Sequence, residues 1–204
     1  MQLTDRPSTR TLALTLALTL ALVACVDTTG LSALSSKPPR GSPQGIVIVT
    51  EFADLQCPAC KAAHSMLHQP LVETYGSQVR FDFRHFPLRS LHRYAMDLAE
   101  AAECAADQGK FWEYVDAAYE NQDSINTKAV RAWADSLKLD MDLFDRCAKS
   151  HIKRDMILAE YEEGRKAGVG GTPTFFVNGR KTEATLPALT KAMDERIAAA
   201  MKNL

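Results

Sequence analysis

Cys57 and Cys60 enclose two residues in the tetrad Cys57-Pro58-Ala59-Cys60, a spacing open to two chemistries: reversible closure to a disulfide, or half of a metal site. A zinc site needs two further ligands at close spacing. Cys104 and Cys147 are far apart in the chain and neither has a ligand beside it, but His64 and His68 sit at i and i+4 on one expected helix and keep a mixed Cys/His site open. Without a metal, those histidines read as an exposed helix face. The redox alternative draws on position as well as spacing. Pro58 suits the first turn of a helix, where its missing N–H costs nothing, so Cys57 falls at the helix N-terminus. There the unpaired backbone N–H groups and the positive end of the helix dipole favour a thiolate, and Lys61 adds a nearby charge. Cys57 is then the exposed nucleophile and Cys60, one turn inside, the resolving sulfur. Stabilising the reduced thiolate makes the disulfide more oxidising.

The surrounding elements follow from patterning. Residues 46–52, IVIVTEF, form an apolar β-branched run that predicts a strand buried on both faces. Glu51 lies at its end. After the tetrad a helix runs to about Tyr75, with Ala63, Met66, Leu67 and Leu71 as its inward stripe. VRFDFRHF, residues 79–86, alternates as a second strand that Pro87 stops. Helical patterns then occupy 91–107, 111–120, 127–137, 140–149 and 152–167, with Leu91, Ala95, Leu98 and Ala102, and again Val130, Trp133 and Leu137, as core-facing sets. Beyond Gly168-Val169-Gly170-Gly171-Thr172-Pro173 comes TFFV, an Asn178-Gly179 hairpin turn, a short strand from Arg180 and a last helix from about Leu186. The glycines lack the Lys-Ser/Thr of a phosphate loop.

The chain has 204 residues, 24 Lys and Arg against 25 Asp and Glu, and 46% hydrophobic residues. This near-neutral balance offers no electrostatic footprint for nucleic acid. Five cysteines are too few for a disulfide-built miniature scaffold, and the odd number sets one apart. Arg6 and Arg10 precede an uncharged stretch from Thr11 to Ala24, which is shorter than the roughly 20 residues of a membrane-spanning helix. It ends in Leu22-Val23-Ala24-Cys25, which resembles the lipobox of bacterial lipoproteins. Residues 1–24 are therefore expected to be a lipoprotein signal peptide, with Cys25 as the lipidation site. Residues 26–44, rich in Ser, Thr, Gly and Pro, are expected to be a flexible tether reaching roughly 25 Å from a membrane. The folded domain is expected over 45–204.

EFADLQCPAC at 51–60, FRHFPL at 83–88, ECAADQGKFWEY at 103–114 and GVGGTPTFFVNG at 168–179 together resemble the DsbA-like branch of the thioredoxin superfamily. The resemblance implies an α/β thioredoxin fold with a helical domain, about 89–167, inserted between the βαβ and ββα units. It implies a thiol:disulfide oxidoreductase without cofactor or bound metal, most simply a monomer, that oxidises cysteine pairs in unfolded exported proteins and is re-oxidised by a membrane redox partner. The expected location is the bacterial cell envelope, facing the periplasm or extracytoplasmic space, with attachment through lipid on Cys25. Glu51 falls where the family keeps a buried acid that accepts the proton of the inner cysteine; burial would raise the pKa of such a carboxylate. Thr172-Pro173 matches the cis-proline loop that receives an extended substrate segment. An oxidising envelope also favours a structural disulfide between Cys104 and Cys147. Ala59 departs from the histidine of the best-known DsbA-type motif, which implies a milder oxidant. An isomerase or reductase of the same fold, and a lipid-anchored soft-metal-binding protein using the cysteine pair, are the competing readings.

Overall fold

The structure is a computed structural model and describes residues 26–202. Five strands form one sheet in the order β1-β3-β2-β4-β5. Its centre is β2 (Val47–Ala53), parallel to β3 (Val79–His85) on one side and antiparallel to β4 (Thr174–Val177) on the other. β4 turns through Asn178-Gly179 into β5 (Arg180–Thr182), with φ of 46° and 75° at the two turn residues, as a tight hairpin of this type demands. Asn178 also accepts a hydrogen bond from the Ile48 N–H through Oδ1 and donates its own N–H to the Ile48 carbonyl, which pins the turn to β2.

The β2–β3 crossover is helical: α1 (Pro58–Ala63), a π-helical turn (His64–His68) and α2 (Gln69–Tyr75). Pro70 has no N–H to give the Met66 carbonyl, and the helix widens just before it, with the Gln69 N–H reaching back to His64. Between β3 and β4 come α3 (Ala95–Ala106), α4 (Phe111–Glu120), α5 (Thr127–Ser136), α6 (Met141–Ser150) and α7 (Arg154–Lys166). Asn126 and Asp140 cap α5 and α6, their side chains accepting backbone N–H bonds in the first turn. α7 packs tightly on the sheet at Gly164, where a Cβ would come within 2.8 Å of both Phe52 and Phe86. α8 (Leu186–Met201) covers the core cluster of Val47, Val49, Phe81 and Phe175 with Leu189 and Met193. This is a thioredoxin-type α/β fold with an inserted helical subdomain. Cys104 in α3 and Cys147 in α6 are joined as a disulfide within that insertion.

Several expectations require correction. Residues 26–44 do not form a free tether. Arg40–Gly41 is strand β1, antiparallel to β3, and Lys37 is buried against Glu103 and Glu160. Trp112 donates Nε1–H to the Pro38 carbonyl, and the fully buried Lys153 donates to the Leu34 carbonyl. Backbone and side-chain partners on the domain thus replace the water that would keep a polar segment mobile. Met66 and Leu91 are exposed, because the widened helix turn and the loop before α3 carry them outward. Ile46 and Ile48 stand half-exposed, so only the second half of β2 is covered on both faces. His64 and His68, expected in solvent, are buried. Cys25 and residues 1–24 lie outside the described residues.

Candidate active site

The C-terminal end of β2, the start of α1 and the loop before β4 converge on one point. Cys57 caps α1, and its carbonyl receives the N–H groups of Cys60 and Lys61. Gln122 holds the same loop from the insertion, its Nε2 donating to the carbonyls of Leu55 at 2.9 Å and Cys57 at 3.1 Å. The Thr172–Pro173 peptide is cis, and Cys57 Sγ lies 3.5 Å from the Thr172 carbonyl oxygen. Ala59 and Pro173 line a shallow apolar groove of about 320 Å³ with Ala62, Met66, Leu67 and Ala184. The structure thus brings Cys57, Pro58, Ala59, Cys60, Thr172 and Pro173 together.

Both active cysteines are free thiols, and their surroundings separate them. A hydrogen bond from Cys60 is the largest influence on Cys57; burial opposes it, and contacts with Thr172 and the backbone N–H groups of Cys60 and Ala59 add to it, bringing the thiol down to about 5. Burial pushes Cys60 well above the ordinary thiol range, reinforced by the same bond with Cys57, and the Asp54 N–H 3.5 Å from its sulfur only partly offsets this. Cys57 is less open than expected, with 6% of its surface exposed, while Cys60 has none. Lys61 serves elsewhere: its ammonium pairs with Asp123 at 3.1 Å.

Glu51 of β2 is buried, its Oε2 3.0 Å from His68 Nδ1. The His64 ring stacks on His68, and its Nε2 is 2.8 Å from Asp116 Oδ1, which Arg40 of β1 also engages through the other oxygen. The Tyr119 hydroxyl is fully buried nearby and is pushed up by burial first and by the charges of Cys60, Glu51, Asp54 and Cys57 after it. Sequence reasoning missed Gln122, Tyr119 and Asp116. It noticed His64 and His68 by their spacing but placed them in water, and the one available signal was their position one and two turns below Cys60.

Among the described residues one cluster has donors close enough to hold a metal ion, His85, Glu103 and Glu160. The Lys37 ammonium already lies 2.7 Å from Glu103 Oε1 and 2.7 Å from Glu160 Oε1, so a protein cation fills that place. Among the described residues no helix is long and apolar enough to cross a membrane.

Comparison with known proteins agrees with this architecture. A thioredoxin-like oxidoreductase from Silicibacter pomeroyi is 26% identical, with a TM-score of 0.67 over 82% of this chain and 93% of that one. The thiol-disulfide exchange protein alpha-DsbA2 from Wolbachia pipientis is 26% identical, with a TM-score of 0.69 over 78% of this chain and 86% of that one. Among curated sequences, Na(+)/H(+) antiporter NhaA 3 of Salinispora tropica is 39% identical over 79% of this chain, and NhaA 1 of Salinispora arenicola is 35% identical over 75%. The chain spans about a quarter of the length of these antiporters. The sequence profile described as thioredoxin matches residues 35–195, and with the cis-proline loop set against a Cys-x-x-Cys helix start, the chain belongs to the thioredoxin family, in its DsbA-like form with an inserted helical subdomain.

Proposed function

We propose that this thiol:disulfide oxidoreductase works in the oxidising direction on cysteine pairs of exported proteins, held at a bacterial envelope membrane by lipid on Cys25. The observation that carries the direction is the separation of the two sulfurs, with Cys57 held down to about 5 and Cys60 pushed up. A stable Cys57 thiolate favours the dithiol over the disulfide, which makes the disulfide an oxidant.

In the oxidised enzyme a substrate thiolate attacks Cys57 Sγ. The Cys57–Cys60 bond breaks, its electron pair goes to Cys60, and that sulfur takes up a proton. A second substrate thiolate attacks the substrate sulfur of the mixed disulfide, and Cys57 leaves as a thiolate. The substrate has lost two electrons, which a membrane redox partner must remove from Cys57 and Cys60. The Thr172 backbone can pair with an extended substrate segment, and the apolar groove beside Pro173 suits the side chains of an unfolded chain of any charge. Glu51, buried at the end of β2, serves as proton acceptor for Cys60. The Ala59 side chain supplies no hydrogen bond to Cys57 beyond that of its backbone N–H, in keeping with a moderate oxidant.

The test is the reduction potential of Cys57–Cys60, set against glutathione. A value of about -120 to -180 mV supports an oxidase, and one near -270 mV, thioredoxin's range, overturns it in favour of a reductase.

A further inference from the structure

His68 lies against the carboxylate that the proposed cycle uses, and nothing so far gives it a task. Its side chain and that of Glu51 are 3% and 4% exposed, with Nδ1 and Oε2 3.0 Å apart. The ring is fixed between His64, stacked at 5.3 Å, and Trp112, tilted at 5.1 Å, with Phe81 edge-on at 5.8 Å. Glu51 Oε1, His68 Nε2 and the Tyr119 hydroxyl are buried without a hydrogen-bond partner. Burial of so many polar atoms around one carboxylate costs stability, and a core position could have held a leucine instead.

We propose that His68 is the proton partner of Glu51, and that the two exchange a single proton with the Cys60 sulfur as one unit. The inference rests on the role given to Glu51 above. When Cys60 attacks a mixed disulfide on Cys57, its S–H proton passes to the carboxylate–imidazole pair as its electron pair forms the bond to Cys57 Sγ. The outer sulfur leaves with the old bonding pair. Before transfer the negative charge belongs to the Glu51 carboxylate beside a neutral imidazole. After transfer the pair is neutral and the charge is on sulfur. The negative charge thus passes from the carboxylate to sulfur and departs with the outer thiolate, so the buried region never holds a second uncompensated charge. In the opposite direction Cys60 leaves and recovers the proton. Between turnovers the pair equilibrates with water.

His68 is a positioning and proton-holding residue, since it acts on sulfur through Glu51. The titratable and charged groups around the pair are His64, stacked on His68, and Tyr119 of α4, whose buried hydroxyl feels the charges of both Glu51 and Cys60 and those of Asp54 and Cys57; Asp116 and, through it, Arg40 of β1 act on His64.

The test follows Cys60-dependent release of glutathione from the Cys57 mixed disulfide, formed with oxidised glutathione, as a function of pH. His68→Asn keeps a donor near the Nδ1 position but cannot take a proton. Glu51→Gln and His68→Asn are each expected to slow release about ten- to a hundredfold at neutral pH, recovering as hydroxide removes the thiol proton, and the double variant should be no slower than the worse single one. A slowed Glu51→Gln with a His68→Asn profile matching wild type overturns this inference alone. Wild-type profiles in both overturn the Glu51 role with it. If His68→Asn does not fold, the wild-type protein decides through the nitrogen resonances of the His68 ring. Their titration midpoint is expected to differ between disulfide and dithiol forms, and identical midpoints overturn the proposal.

Discussion

Lys37 places its ammonium 2.7 Å from Glu103 Oε1 in the core of the inserted subdomain, and the same nitrogen is 2.7 Å from Glu160 Oε1 on α7. Three chain segments, separated by 66 and 123 positions from Lys37, meet in this contact. His85 completes it with Nε2 3.0 Å from Glu103 and its backbone N–H 2.8 Å from Glu160 Oε2. The amino-terminal segment is thereby part of the domain's electrostatic interior.

Replacing Lys37 by methionine keeps the apolar stem and removes the charge, leaving two buried carboxylates short of a cation. Loss of one partner of a buried ion pair costs about 3–5 kcal/mol. Urea denaturation of Lys37→Met should show a loss of that order; a loss below about 1 kcal/mol would mean that the segment does not stabilise the domain.

The same cluster sets acid stability. Burial pushes the Glu103 carboxyl up, but the hydrogen bond and charge of His85 and the Lys37 ammonium outweigh it and hold the group down to about 2, from 4.5. A carboxylate with a depressed folded value contributes stability that is complete above about 4.5 and is lost as pH falls toward 2. Glu103→Gln should flatten that part of the stability profile, measured by thermal melts at stepped pH.

Cys57 should titrate with a midpoint of about 5 by thiolate absorbance and by its alkylation rate. Its depressed value stabilises the dithiol form by an amount that is complete above about 9, the ordinary thiol value, and is lost progressively as pH falls to about 5. Lys61→Ala should leave the midpoint in place, because Lys61 engages Asp123. A midpoint near 8 in the wild type would contradict the geometry at the start of α1.

The Cys104–Cys147 bond closes a loop with a sequence separation of 43. In the chain-entropy model such a loop contributes about 4 kcal/mol. The double replacement by alanine should lower the melting temperature and leave the reduction potential of Cys57–Cys60 unchanged, since the bond lies within the insertion. An altered potential would show coupling between the two.

Much of the fold was legible because it rests on local chemistry. Pro58 and the cysteine spacing placed the thiols at a helix start, alternation marked β3, Asn178-Gly179 marked the hairpin, and Thr172-Pro173 marked the loop beside Cys57. The helices of the insertion follow their apolar periods closely, with Leu91, in the loop before α3, the exception. What was illegible involves polar groups whose burial depends on distant partners. By composition residues 26–44 are a linker, yet Lys37, Pro38 and Arg40 dock because Glu103, Glu160, Trp112 and Asp116 receive them. By spacing His64 and His68 belong in water, yet Asp116 and Glu51 draw them inward. Apolar periodicity is a property of neighbouring residues and can be read along the chain. The burial of a charge is favourable only where an opposite charge or hydrogen bond awaits it, and the chain must fold before that partner is in place.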